Sequence, residues 1–303
     1  MELGMIGLGR MGGDMTRRLL KGGHRVVVFD PLKTAREAAA ASGAAATISV
    51  KELVAALKTP RIVWLMVPAG KPTEDTIDKL LLLLADGDIV IDGGNSNYHD
   101  SIRRAEKLAK KGIFFLDVGT SGGIWGLKEG YCLMVGGDVD TYYHIKPIFQ
   151  TLAPSLDTGY GYVGTNGAGH FVKMVHNGIE YGLMQSYAEG FQLLKAREEF
   201  GLDLGKIAEM WRHGSVVRSW ILDLTAAALK QDPDLKGIQS YVEDSGEGRW
   251  TVEEAVKLGV PVPVISLALQ MRFRSRQPQS FSDKLLAAMR KGFGGHSVKP
   301  TGK

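Results

Sequence analysis

Glu2-Leu3-Gly4-Met5-Ile6-Gly7-Leu8-Gly9-Arg10-Met11-Gly12 passes from a short apolar run straight into glycines, and the reading of this stretch decides the fold. Glu2 to Ile6 has strand character. Gly7, Gly9 and Gly12, with Leu8, Arg10 and Met11 between them, form a G-x-G-x-x-G turn leading into a helical pattern that ends near Leu20 and Lys21. Glycines at these places permit a tight turn and let a pyrophosphate approach the backbone N–H groups of the helix N-terminus. The motif alone is weak, but its required context is present: a strand before, a helix after, and a second strand, His24 to Phe29, ending at Asp30. A carboxylate there can hold a ribose 2′-hydroxyl. A 2′-phosphate about 4 Å away would be repelled by on the order of 4 kcal/mol per unit charge at an effective dielectric near ~20. Pro31-Leu32 offers no arginine to clamp such a phosphate, and Lys33 gives only a partial offset, so NAD is expected over NADP.

Outward from this motif, strand and helix patterns alternate. Helices are expected over Ala35 to Ala41, Thr73 to Leu84 and Ser101 to Lys110, and strands over Arg61 to Val67, Asp88 to Ile91 and Ile113 to Val118. This order predicts an α/β fold with a Rossmann-type doubly wound sheet, its ligands at the carboxyl ends of the strands. Val67-Pro68-Ala69 should border the cofactor, Gly93-Gly94-Asn95-Ser96 should reach the reacting centre, and Ser121-Gly122-Gly123 follows the strand ending near Val118. Each taken singly reads as an ordinary glycine turn, whereas their joint placement at successive strand ends does not. A loop with one hydroxyl and two exposed N–H groups suits an anion such as a carboxylate. After the glycine-rich Gly159 to Asn166 the alternation stops and only helices are expected. The predicted division is a dinucleotide-binding domain over 1–165 and an all-helical substrate-binding domain over 166–303, with one long helix at its centre.

That helix carries the most legible chemistry. In Gly167-Ala168-Gly169-His170-Phe171-Val172-Lys173-Met174-Val175-His176-Asn177-Gly178-Ile179-Glu180-Tyr181, helical spacing sets Lys173, His176, Asn177 and Glu180 along one stripe of two turns. Phe171, Val172, Met174, Val175 and Ile179 make the opposite side apolar, so the stripe is expected to line a cleft. A lysine and a glutamate two turns apart are ordinarily a salt-bridged pair. The small-residue entry and the amide and imidazole between the charges supply close approach and hydrogen bonding that an ion pair does not need.

The run resembles the substrate helix of 6-phosphogluconate dehydrogenases, within the β-hydroxyacid dehydrogenase superfamily, and the likeness extends over nearly the whole chain. Asp92-Gly93-Gly94-Asn95-Ser96 resembles the stretch whose asparagine bridges nicotinamide and substrate, and Ser121-Gly122-Gly123 the loop that holds the substrate carboxylate. Ile124-Trp125 stands where many relatives have an acidic pair, and Asp30-Pro31 where NADP-using members carry Asn-Arg. Gly248-Arg249-Trp250-Thr251 resembles Gly-Lys-Trp-Thr, whose lysine contacts the 6-phosphate; arginine keeps the charge but not the geometry. Thr251 and Glu254 make a capping-box pattern, so a helix is expected to start there, with Arg249 just ahead of it. Arg272 resembles a second phosphate-binding arginine, while Arg274 and Arg276 read as a solvated face. Arg290 and His296, in a tail like the family's Phe-Gly-x-His signature, are implied to complete the neighbouring subunit's site.

The resemblance implies oxidative decarboxylation of 6-phosphogluconate to ribulose 5-phosphate with NAD. Lys173 is implied as the base, provided that burial and neighbours lower its pKa, and Glu180 as the acid that protonates C1. Asn95, His176 and Asn177 would position hydroxyls and carboxylate; Tyr181, Arg249, Thr251 and Arg272, with Arg290 of a partner chain, would bind the phosphate. No metal is called for, and a homodimer or higher oligomer is implied, in a compact form like that of bacterial members. The alternatives are another β-hydroxyacid dehydrogenase, of the 3-hydroxyisobutyrate kind, which has no use for the arginine set or Glu180, and a non-catalytic NAD-responsive module, which would lose the lysine stripe.

Composition fits a folded enzyme. The 303 residues are 44% hydrophobic and 23% charged with a formal charge of +4, a mild excess that favours an anionic small molecule and argues weakly for nucleic acid. The lone Cys132 excludes an internal disulfide and, in its apolar run, reads as a core thiol. No CxxC or HxxxH spacing suggests zinc, the longest apolar run cannot span a bilayer, and a cytoplasmic location is expected.

Overall fold

In the computed structural model, residues 1–294 and 297–299 are described. They divide into two units, one from Met1 to Asn177 and one from Gly178 onward. The first unit runs β1 (Glu2–Ile6), α1 (Arg10–Lys21), β2 (Arg25–Phe29), α2 (Lys33–Ala41), β3 (Ala45–Ala46), α3 (Val50–Ala55), β4 (Ile62–Leu65) and α4 (Lys71–Leu83). It continues through β5 (Ile89–Asp92), α5 (Tyr98–Ala109), β6 (Phe114–Ser121), α6 (Gly126–Glu129), β7 (Cys132–Gly137), α7 (Val139–Leu152) and β8 (Tyr160–Gly164) into the start of α8 (Ala168–Ala196).

The eight strands form one sheet in the order β3-β2-β1-β4-β5-β6-β7-β8. All neighbours are parallel except β6 and β7, which pair antiparallel from Leu116↔Gly137 to Ser121↔Cys132. The apolar runs exist because helices cover both faces: Leu3, Met5, Trp64 and Ile91 pack on one side with Phe149, and Ile6, Val63, Leu65 and Val90 on the other with Phe115. Burying each such side chain stabilises by about 1.5–3 kcal/mol. The strand order reverses between β1 and β4, which opens the ligand-binding crevice at their carboxyl ends. There the two strand ends meet so closely that a Cβ on Gly7, whose φ is 93°, would lie 2.3 Å from the Met66 carbonyl oxygen. Only glycine fits.

The doubly wound sheet is as expected, but it extends further than the sequence reading carried it. Beyond β6 come β7, α7 and a further strand, β8, which lies inside the glycine-rich Gly159 to Asn166, and the alternation stops after it as expected. Pro147 inside α7 and the glycines flanking and interrupting β8 weaken both local patterns. Asp138 starts α7, its carboxylate accepting the Thr141 N–H at 2.7 Å.

The second unit is helical throughout its described residues: the rest of α8, a 3₁₀ turn at Glu198–Phe200, α9 (Leu204–Trp211), α10 (Trp220–Gln231), α11 (Glu247–Leu258), α12 (Pro263–Ser275) and α13 (Phe281–Gly294). Phe191, Ala208, Leu222, Ala226 and Leu229 form one small core, with Trp211 against it, and Tyr181, Ala268 and Leu269 form another. Two expectations fail here. Ile179, assigned to the buried side of α8, is exposed. α11 starts at Glu247 with Gly246 as its N-cap, so Thr251 does not cap it. The Thr251 hydroxyl instead donates back to the Glu247 carbonyl oxygen at 2.9 Å, and Arg249 lies inside the first turn rather than ahead of it.

Candidate active site

Four loops carrying predicted residues leave the carboxyl ends of adjacent strands β1, β4, β5 and β6. At the first, Gly9 is the N-cap of α1, and a Cβ there would meet nothing within 4 Å, whereas one on Gly12 would lie 2.0 Å from the Gly7 carbonyl oxygen. α1 has no side-chain cap and no acidic residue in its first turn. Among the described residues no side chain caps its leading N–H groups, and Arg10 is exposed beside them. This is a cradle that fits a dinucleotide pyrophosphate.

Asp30 closes that loop. One carboxylate oxygen accepts the Leu8 N–H at 2.7 Å and the other the Leu32 N–H at 2.8 Å, so the buried side chain holds the glycine turn and its own turn together. A carboxylate has about four acceptor sites, so capacity for a ribose hydroxyl remains. Lys33 is turned to Glu37 at 3.5 Å. Arg36, which no motif marks, donates from Nη1 to the carbonyl oxygens of Asp30 at 2.7 Å and Pro31 at 2.9 Å; it lies one helical turn beyond Pro31-Leu32.

At the second and third loops, Val67 is half-buried, Pro68 and Ala69 are exposed, and Asn95 is exposed above a buried Ser96. Beneath Asn95 the Asp92 carboxylate accepts the Gly94 N–H at 3.1 Å and the Ser96 hydroxyl at 2.8 Å. At the fourth, Ser121 ends β6, and Gly122 and Gly123 take φ values of 129° and 49°, a left-handed course open to glycine. Ile124 and Trp125 continue it as an exposed 3₁₀ turn.

The lysine helix is seated on this sheet. Asp117, fully buried in β6, accepts the Gly167 N–H at 2.7 Å and the His170 N–H at 2.9 Å, and so caps α8 from a distant strand. Ser101 Oγ lies 2.7 Å from His170 Nδ1. A lone carboxylate inside the apolar run Phe114-Phe115-Leu116-Asp117-Val118 was the available signal, since a buried charge demands partners. Lys173 is 8% exposed, and a Cβ on Gly119 would lie 2.4 Å from the Lys173 Cβ, so the lysine stem crosses β6 where there is no side chain. Its charge is felt by the Cys132 thiol, the register partner of Ser121. Lys173 thus lies in the same neighbourhood as the Ser121-Gly122-Gly123 loop. Cys132 itself is exposed at the start of β7 and not in the core as expected, although partial burial pushes its thiol up. His176 Nδ1 donates to Asn177 Oδ1 at 3.0 Å, and Glu180 follows on the same stripe of the continuous helix, half-buried.

Within the second unit, α8, α11 and α12 gather most of the predicted phosphate residues. A Cβ on Gly178 would meet Thr251, and one on Gly248 would lie 2.5 Å from the Tyr181 ring, so α8 and α11 touch at two glycines. Arg272 lies over the Tyr181 ring at 3.5 Å and donates to the Glu243 carbonyl oxygen at 2.8 Å. Arg249 packs over Phe273 at 4.3 Å, and its Nε and Nη2 donate to Asp244 at 2.6 and 3.2 Å, which leaves the Nη1 side of the guanidinium. Arg276 is no solvated face: its Nη2 donates to the same carboxylate at 2.6 Å. Held by Arg249 and then Arg276, Asp244 is pulled down to about 2. Arg290 is exposed on α13, and His296 lies outside the described residues. A cavity of about 500 Å³ in this unit, lined by Tyr187, Phe191, Trp211 and Val217 among others, contains none of the predicted residues.

Comparison with known proteins gives a consistent result. Residues 2–164 match the NAD binding domain of 6-phosphogluconate dehydrogenase, and residues 169–291 match the 6-phosphogluconate dehydrogenase C-terminal domain. An NAD(+)-dependent, decarboxylating 6-phosphogluconate dehydrogenase of Haloferax volcanii is 46% identical over 299 residues, covering 98% of each chain. The human decarboxylating enzyme is 39% identical over 305 residues, 96% of this chain and 62% of that one. Among solved structures, Plasmodium falciparum 6-phosphogluconate dehydrogenase, studied with NADP+ and with 6-phosphogluconate, superposes with a TM-score of 0.84 at 29% identity, over 100% of this chain and 67% of that one.

Proposed function

The chain belongs to the 6-phosphogluconate dehydrogenase family, and from that premise we propose that it oxidatively decarboxylates 6-phospho-D-gluconate to D-ribulose 5-phosphate and carbon dioxide with NAD. The observation that carries the reading is Lys173, buried across Gly119 beside the strand that ends in Ser121, with Glu180 two turns along the same helix. The division at 1–165 and 166–303 serves as a working one for dinucleotide and substrate.

Bound NAD supplies the acceptor for the C3 hydride. Lys173 takes the C3 hydroxyl proton, and its ammonium then stabilises the oxygen that becomes negative as carbon dioxide leaves the 3-keto acid. Glu180 gives a proton to C1 of the enediol. The Ser121-Gly122-Gly123 loop binds the carboxylate, and Asn95, His176 and Asn177 orient hydroxyls. Tyr181, Arg249, Thr251 and Arg272 bind the phosphate together with Arg290 of a second copy of the chain, whose His296 binds a substrate hydroxyl. Exposed apolar side chains such as Val216, Val256 and Phe281 on the helical unit support self-association. A monomer mass in analytical ultracentrifugation would count against it. Among the described residues no helix is long and apolar enough to cross a membrane; we place the enzyme in the cytoplasm.

The direct test supplies 6-phosphogluconate with NAD or NADP in parallel and follows reduced nicotinamide and released carbon dioxide. Equal amounts of both products are expected, and reduction without gas would point to a 3-hydroxyisobutyrate-like activity. Preference for NAD rests on Asp30. Asp30→Ala combined with Pro31→Arg is expected to raise kcat/KM with NADP by on the order of 10²-fold, as removal of a ~4 kcal/mol repulsion allows after screening. An unchanged ratio would shift the weight to Arg36, whose guanidinium lies at the same corner. Glu180→Gln is expected to slow product formation by about 10²-fold or more, as loss of a general acid does, with reduced nicotinamide and carbon dioxide still formed in the first turnover; wild-type turnover would remove its role.

A further inference from the structure

Arg104, on α5, was not singled out by any motif and is fully buried. Its Nη1 donates to Asp92 Oδ2 and to Ser96 Oγ, both at 3.0 Å, and its Nε to Glu74 Oε1 at 2.6 Å. Asp92 is also fully buried, and with Ser96 it brackets Asn95. Glu74 lies in the first turn of α4, where its neighbour Thr73, also buried, donates to the Pro68 carbonyl oxygen at 2.9 Å. Arg103 and Arg104 together hold the Glu74 carboxyl down to about 2, so it is an anion throughout the working pH range.

One guanidinium therefore ties the turn that carries Asn95 to the helix that anchors the Val67-Pro68-Ala69 loop. A fully buried ion pair adds little net stability over an apolar replacement, because desolvating both charges offsets their attraction. What it does supply is direction: three N–H donors fixed in one plane, aimed at the turn after β5 and at the first turn of α4. We infer that Arg104 is a positioning residue that holds Asn95 and the 67–69 loop in one relative geometry for hydride transfer. The inference rests on the proposed role of Asn95.

The test is a double-mutant cycle on the full chain with Asn95→Ala, Arg104→Met and both together. It reads kcat, KM for 6-phosphogluconate, NADH affinity by fluorescence titration, and melting by circular dichroism. Arg104→Met is expected to lower kcat by on the order of 10²-fold, as misplacement by about 1 Å does. In the Asn95→Ala background the same change should cost less than about threefold, since residues acting as one unit are not additive. NADH affinity should weaken several-fold in Arg104→Met. Arg104→Lys keeps the charge but cannot span Glu74 and Asp92 together, and takes its place in the cycle should the methionine variant fail to fold. An equal kcat cost in both backgrounds overturns the inference while leaving Asn95 in its role, and so does unchanged NADH affinity. Wild-type turnover in Asn95→Ala overturns the reading of Asn95 and the inference with it.

Discussion

Lys173→Met is expected to abolish turnover while 6-phosphogluconate still binds. Methionine is unbranched and of similar length, so it can follow the same path across Gly119, where a Cβ would lie 2.4 Å from the lysine stem, without disturbing β6. What disappears, in the proposed mechanism, is a proton acceptor for the hydroxyl and a cation for the developing enolate oxygen. Loss of a general base costs about 10²–10⁴-fold, and loss of an oxyanion-stabilising donor about 10²–10³-fold. Both fall on one side chain, so kcat should drop by at least ~10³-fold with substrate affinity, read by calorimetry, changed far less. Residual turnover near a tenth of wild type would remove Lys173 as the base. An independent readout comes from Cys132, whose thiol pKa is raised by burial and lowered by the charge of Lys173. Removing that charge should raise the thiol further and slow its labelling by a disulfide reagent at neutral pH. An unchanged rate would mean that no charge on Lys173 reaches the thiol in the free enzyme.

What could be read from the sequence was whatever depends on local pattern. Gly7 to Gly12, the strand ending at Asp30 and the stripe from Lys173 to Glu180 each carry their signal within a few turns of chain, and the strand ends place those loops side by side. Residues that act through distant partners left no such trace. Asp117 reaches α8 from β6, Arg104 reaches β5 and α4 from α5, and Asp244 gathers Arg249 and Arg276 from two helices. Each is charged and largely buried, and no spacing rule names its partner. The misplaced start of α11 has a related cause. Thr251 and Glu254 satisfy a capping pattern in sequence, but Gly246, with φ of 93°, lets the chain begin the helix at Glu247. Arg276 failed as a solvated residue for the same reason, because its attraction to Asp244 is invisible at that separation.

Asp117→Ala is expected to cost about 2–5 kcal/mol of stability in the first unit, from two buried N–H donors left without an acceptor and a helix cap lost. The α8 N-terminus cannot slide to find substitutes. A Cβ on Gly169 would lie 2.1 Å from the Asp117 carbonyl oxygen and 2.6 Å from that of Met134, so the helix already rests on backbone. Asp117→Asn should cost less but not nothing, since its amide oxygen can serve one N–H while its NH₂ opposes the other. Because the chain has two units, a single melting temperature mixes them, and hydrogen exchange at the amides of Gly167 and His170 is the sharper measure. Their protection should fall in both variants, most in alanine, together with the urea midpoint of the first unit. Retained protection would mean that another acceptor replaces the carboxylate. Lys173 follows His170 by less than one turn, so loosening this end of α8 also frees the stem that must stay aligned across Gly119. The stability loss should therefore carry a fall in kcat that added substrate does not restore, whereas a defect confined to folding would leave kcat per folded molecule unchanged.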